Sequence, residues 1–102
     1  PNWISKEKTK PMTEVTLTIT NAVGLHARPA ALFYKKAREF KSKITIQNLS
    51  RENGRELPVS AFNLLQSGVL QGHSIRLRAD GDDEQAALAA LAKLVEENFG
   101  EE

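Results

Sequence analysis

The sequence predicts an α+β fold: a two-layer sandwich in which three helices cover one face of a four-stranded, mostly antiparallel sheet. Three observations carry this reading. Short segments alternate apolar and polar residues, the mark of strands with one buried face. Segments between them carry apolar residues at spacings of three and four, the mark of helices with one apolar stripe. The order is strand, helix, strand, strand, short helix, strand, helix (βαββαβα), and strands with a single apolar face need helices on that face only.

The first strand is expected over residues 14–20, where Val15, Leu17 and Ile19 alternate with Thr16, Thr18 and Thr20. A turn over 21–24 leads to a helix over 27–41, with Ala30, Phe33, Ala37 and Phe40 as its buried stripe. Pro29 falls in the first turn, where its missing N–H does no harm. Ile44 and Ile46 share one face of a second strand over 43–48, and Glu52-Asn53-Gly54-Arg55 is a turn signal. A short strand over 55–57 should stop at Pro58. Residues 60–67 form a short helix with Ala61, Phe62, Leu64 and Leu65. Ile75, Leu77 and Ala79 mark the fourth strand, over 74–79. Asp80-Gly81-Asp82-Asp83 turns the chain into an N-cap. The last helix is expected over 84–99, with Leu88, Leu91 and Val95 inward and Gly100 as its stop.

Composition narrows the function classes. The chain has 102 residues, enough for one domain, with 40% hydrophobic and 26% charged residues. No apolar run approaches the roughly 18 residues of a membrane span, so no membrane insertion is expected. The absence of cysteine excludes disulfides and thiolate metal sites and fits a reducing, cytoplasmic setting. A net charge of +1 does not argue for a nucleic-acid partner, and the strands lack exposed aromatics for base stacking. Residues 1–11 read as a flexible leader, without the apolar stretch of a secretory signal, and residues 12–102 as the folded domain.

The chemistry sits in GLHARPAALF, residues 24–33. A helix beginning at Ala27 puts His26 at or beside its N-cap. The backbone N–H groups of Ala27 and Arg28 then lack intrahelical partners and form an anion nest aided by the helix dipole. Arg28 adds a planar fork that donates two hydrogen bonds to phosphate oxygens. A neutral imidazole is a competent nucleophile toward phosphorus. No metal-ligand cluster, carboxylate dyad or nucleotide loop accompanies them. The combination suits a site that receives a phosphoryl group and hands it on.

G-L-H-A-R-P-A, residues 24–30, resembles the phosphorylation-site signature of the histidine-containing phosphocarrier protein (HPr) family of the bacterial phosphotransferase system. The resemblance runs from Met12 to the C-terminus and implies that family's open-faced β-sandwich. It implies that His26 carries phosphate on Nδ1, steadied by Arg28. The donor it implies is enzyme I, charged by phosphoenolpyruvate; the acceptor is an EIIA domain. The chain is then a monomeric phosphoryl-transfer intermediate rather than a stand-alone enzyme, and it needs no cofactor or metal. A regulatory branch, or an HPr domain within a multidomain fusion, stands beside this reading. Ser60 falls at the family's regulatory serine, which makes an HPr kinase/phosphorylase a further partner; its other reading is an N-cap. Ala61, Phe62 and Leu65, with Leu25 nearby, are the expected partner-binding patch.

Two features are read as structural. His73 has no second ligand at metal spacing and is expected to be a surface loop residue. Lys35, Lys36, Arg38, Lys41 and Lys43 form a basic, solvated face that also steers acidic partners.

Overall fold

The computed structural model describes residues 13–100. The expected leader, residues 1–11, and Met12 lie outside the described residues. The strands are β1 (Thr13–Thr18), β2 (Lys43–Asn48), β3 (Leu57–Pro58) and β4 (Ser74–Asp80). The helices are α1 (Ala27–Ala37), α2 (Ala61–Gln66) and α3 (Glu84–Glu96), and a 3₁₀ turn closes the chain at Asn98–Gly100. The strands form one antiparallel sheet in the order β1-β4-β2-β3.

Alternation decides which face is covered. Ile75, Leu77 and Ala79 of β4 are fully buried, and their register opposite Leu17, Val15 and Thr13 of β1 and opposite Asn48, Ile46 and Ile44 of β2 makes one apolar surface. Phe33 of α1, Leu64 of α2 and Leu91 of α3 meet it and are also fully buried. Each such side chain contributes about 1.5–3 kcal/mol by leaving water. The other face stays polar: Arg78 on the central strand pairs with Glu14 at 3.0 Å and Glu56 at 3.2 Å, on opposite sides of it.

Among the expected boundaries that shift, four have a plain physical reason. β1 ends at Thr18 rather than residue 20, because Ile19 leaves the ladder to exchange backbone bonds with Gly72 and His73 (Gly72 N to Ile19 O 2.7 Å, Ile19 N to His73 O 2.9 Å). α1 ends at Ala37 rather than residue 41. Its last bonds tighten to i→i−3 (Glu39 N to Lys36 O, Phe40 N to Ala37 O), and the next two amides, of Lys41 and Ser42, donate to the Asp83 carboxylate at 2.8 and 3.0 Å. β3 includes Pro58 rather than stopping before it: on an edge strand the missing N–H costs no ladder bond, and Val59 N returns to Ile44 O at 2.9 Å. α3 stops at Glu96 rather than residue 99. Asn98 and Phe99 take left-handed φ of 54° and 59°, a reversal that turns the Phe99 ring into the core at 3% exposure.

Candidate functional site

The turn that carries His26 is built before α1 begins. Asn21 O accepts from Gly24 N, and Asn21 Nδ2 returns to Gly24 O at 2.9 Å. Gly24 takes φ 66°, and a Cβ there would sit 2.4 Å from Val69 O, so both its conformation and its neighbour require glycine. Leu25 N then bonds Val69 O at 3.0 Å. This pins the chain as it enters the helix.

His26 is the N-cap of α1, with extended backbone (φ −90°, ψ −166°), and its carbonyl accepts from Ala30 N at 2.9 Å. Its side chain makes no capping bond and is exposed. Pro29 has no N–H and is buried, so the amides of Ala27 and Arg28 are the first-turn donors left over. Ala27 and Arg28 are both exposed. His26 and Arg28 line one open cleft of about 740 Å³, whose walls include Asn21, Gln71 and Asn98. No acidic residue lies in the first turn of α1 to compete for those donors.

Ser60 is the N-cap of α2, and here the hydroxyl does cap: Ser60 Oγ accepts from Asn63 N at 3.0 Å. Past it, Phe62 is 68% and Leu65 47% exposed, while Leu64 between them is fully buried. Ala61 is exposed as well and, with Tyr34 and Arg38, lines a shallow pocket between α1 and α2. Ala61, Phe62 and Leu65 thus form an outward apolar patch on a helix packed against α1. Leu25 does not join it. Its side chain is 3% exposed and belongs to the core, which corrects its placement among surface contacts. The physical reason is the backbone bond to Val69: it fixes Leu25 inward so that the next residue points out. Of the basic face, Lys36 pairs with Glu39 at 3.4 Å and Arg38 lies over the Tyr34 ring at 5.7 Å.

Sequence reasoning missed two contributors. Asn98 lines the cleft and accepts from Thr20 Oγ1 at 2.8 Å, a position reached only because α3 reverses. His73 lies in the loop before β4, as expected, but it is half-buried and bonded, with Nδ1 accepting from Leu70 N at 3.1 Å. An asparagine before a phenylalanine and a glycine was the available signal for the first. Nothing local signals the second.

Comparison with known proteins fixes the family. Residues 13–97 match a family model described as "PTS HPr component phosphorylation site". The chain belongs to the HPr family. It is 37% identical to phosphocarrier protein HPr of Xylella fastidiosa (strain Temecula1) over 89% of this chain and 99% of that one. It is 42% identical to a multiphosphoryl transfer protein of Haemophilus influenzae over 84% of this chain, but spans just 17% of that protein's length. A crystal structure of HPr from Thermoanaerobacter tengcongensis superposes with a TM-score of 0.80 at 43% identity, covering 89% of this chain and 99% of that one. HPr from the same organism has also been solved as a dimer. The four-stranded antiparallel open-faced sandwich with three helices is the HPr fold. The chain is therefore a phosphocarrier of the phosphotransferase system in family and architecture. Among the described residues, no helix is long and apolar enough to cross a membrane.

Proposed function

We propose that this HPr-family chain accepts a phosphoryl group on His26 Nδ1 from phosphorylated enzyme I, charged by phosphoenolpyruvate, and passes it to EIIA domains in sugar uptake. The observation that carries this reading is the cap of α1: an exposed imidazole, making no bond to its own helix, beside two first-turn amides and the Arg28 side chain. A phosphorus–nitrogen bond forms at the ring nitrogen's lone pair as the donor's bond to phosphorus breaks and its electron pair stays with the donor. The Ala27 and Arg28 amides and the Arg28 guanidinium take up charge on the phosphoryl oxygens. Transfer onward repeats the exchange with the acceptor as nucleophile.

The patch of Ala61, Phe62 and Leu65 suits partners that dock and leave, since a carrier needs small, short-lived interfaces. The same need favours a cytoplasmic monomer. Ser60 is the regulatory position in this reading. A phosphate added there by an HPr kinase/phosphorylase brings about −1.5 to −2 charges to the edge of the apolar patch and weakens docking. The likeness to a 17% segment of a multiphosphoryl transfer protein supports a second reading, in which the chain works as one domain of a larger transfer protein. Both readings keep the same chemistry at His26.

The test mixes the chain with enzyme I, Mg²⁺ and phosphoenolpyruvate and follows its mass. A species heavier by one phosphoryl group, acid-labile and absent in His26→Ala, is expected. Label that persists in His26→Ala, or no label on the wild-type chain, overturns the assignment.

A further inference from the structure

We infer that His73 is a positioning residue for the His26 turn, holding it through hydrogen bonds that a neutral ring accepts and a protonated ring does not. The inference rests on the phosphocarrier reading for its kinetic consequence, but its geometry stands apart from that reading.

The Asn48 amide orientation is fixed on both sides: Nδ2 donates to Ser67 O at 3.1 Å, and Oδ1 accepts from Ser50 N at 3.0 Å. The same Nδ2 lies 3.2 Å from His73 Nδ1, which also accepts from Leu70 N at 3.1 Å. Two N–H groups converge on that nitrogen, so it bears no proton and the ring hydrogen is on Nε2. Asn48 is 2% exposed, so the ring ties the surface loop to the buried end of β2.

The loop it holds is the one the His26 turn leans on. His73 N closes the turn onto Leu70 O at 3.0 Å, and Gln71 Nε2 donates to Thr20 O at 3.1 Å. A Cβ on Gly24 would meet Leu70 Cα at 2.8 Å, so that backbone packs directly on the residue two before His26. Leu25 N bonds Val69 O, and Ile19 bonds both Gly72 and His73. Both ends of the segment from Ile19 to Leu25 are therefore anchored on residues 69–73. Protonating His73 turns an acceptor into a third donor facing two others. The loop must then move, and the His26 turn with it.

The groups facing the ring are uncharged: Asn48 from β2 and the Leu70 amide from the loop. The charged side chain tied into the network is Arg51, whose guanidinium donates to Ser67 O at 3.5 Å. No carboxylate pairs with His73 among the described residues.

The test compares wild type, His73→Leu and His73→Asn, as the full chain, for the rate of label uptake from phosphorylated enzyme I between about pH 5.5 and 8. The asparagine Oδ1 stands near the place of Nδ1, accepts the same donors and does not titrate. His73→Leu is expected to be slower by about tenfold, the scale of a small misplacement of a reacting group. His73→Asn restores most of the rate, and its profile falls less steeply toward acid than that of wild type. Should His73→Leu fail to fold, the comparison of wild type with His73→Asn decides alone. A folded His73→Leu at the wild-type rate, or superimposable profiles for wild type and His73→Asn, overturns the inference. If the wild type takes no label, the phosphocarrier reading has failed. The amide resonances of Leu25 and His26 then decide this one, by an acid-dependent shift in wild type that exceeds that in His73→Asn.

Discussion

The two helices that start at the candidate functional surface are capped in opposite ways. Ser60 gives its hydroxyl to α2, accepting from Asn63 N at 3.0 Å; His26 gives α1 its carbonyl and keeps its side chain free. α2 has six residues and α1 has eleven. A six-residue helix is far below the length that sustains itself in water, so it needs its cap. The longer helix is held by Phe33, Ala30, Ala37 and Pro29 in the core and does without one. The difference shows where a fold can leave first-turn amides and a side chain open for chemistry: on the helix whose burial already secures it.

The largest effect that sharpens this contrast is on the open cap. On the proposed reading His26→Ala is expected to abolish all label, yet it breaks no side-chain cap bond. Its unfolding free energy should stay within about 0.5 kcal/mol of wild type. Arg28 shares the cleft, and in the proposed reading it steadies the phosphate rather than accepting it. Arg28→Ala is expected to retain labelling at a rate lower by about tenfold to a hundredfold, the range for losing one charged donor to a developing anion in an exposed site. Arg28→Lys recovers part of it, since an ammonium supplies charge without the planar fork. Label uptake from phosphorylated enzyme I at matched concentrations measures both. An Arg28→Ala rate equal to wild type would leave the backbone amides as the whole phosphate nest.

The filled cap gives the complementary result. Ser60→Ala should lower stability by about 1 kcal/mol, the usual value of a serine cap, and leave transfer to His26 unchanged. Urea unfolding followed by circular dichroism reads the first and label uptake the second. A stability equal to wild type would show that packing of Leu64, fully buried beneath α2, holds the helix without the hydroxyl.

The same contrast explains what sequence reasoning reached. The strands were legible because one apolar face imposes strict alternation, and Ile75, Leu77 and Ala79 lie where that rule puts them. The candidate site was legible because it is local: His26, Ala27, Arg28 and Pro29 are consecutive and the helix start follows from them. What escaped depends on contacts between distant segments. Leu25 turns inward because Val69, 44 residues on, accepts its amide hydrogen. His73, a loop residue as expected, finds Asn48 across 25 residues, a contact that no local pattern shows. Phe99 reads locally as part of a continuing helix, since no local rule favours a bulky residue at positive φ; burial of its ring decides otherwise.

Asp83 is the third cap, and it divides the two uses. It sits at the N-cap of α3, yet its carboxylate makes no capping bond there. It accepts instead from Lys41 N, Ser42 N and Ser42 Oγ, across 41 and 42 residues of sequence. These bonds, the Ser42 hydroxyl foremost and the Lys41 amide next, hold its carboxyl below the usual 3.8. A carboxyl depressed by folding binds its proton less tightly in the folded chain than in the unfolded one. Its contribution is therefore complete above the unfolded value and fades as pH falls through the lower folded value. Asp83→Asn, which keeps one acceptor but sets an N–H₂ against the remaining donors, should lower Tm at pH 7. The gap from wild type should hold down to about pH 4 and close below it. Thermal unfolding of both chains across that range measures it. A gap independent of pH would mean that the shape of the side chain, rather than its charge, ties the end of α1 to the start of α3.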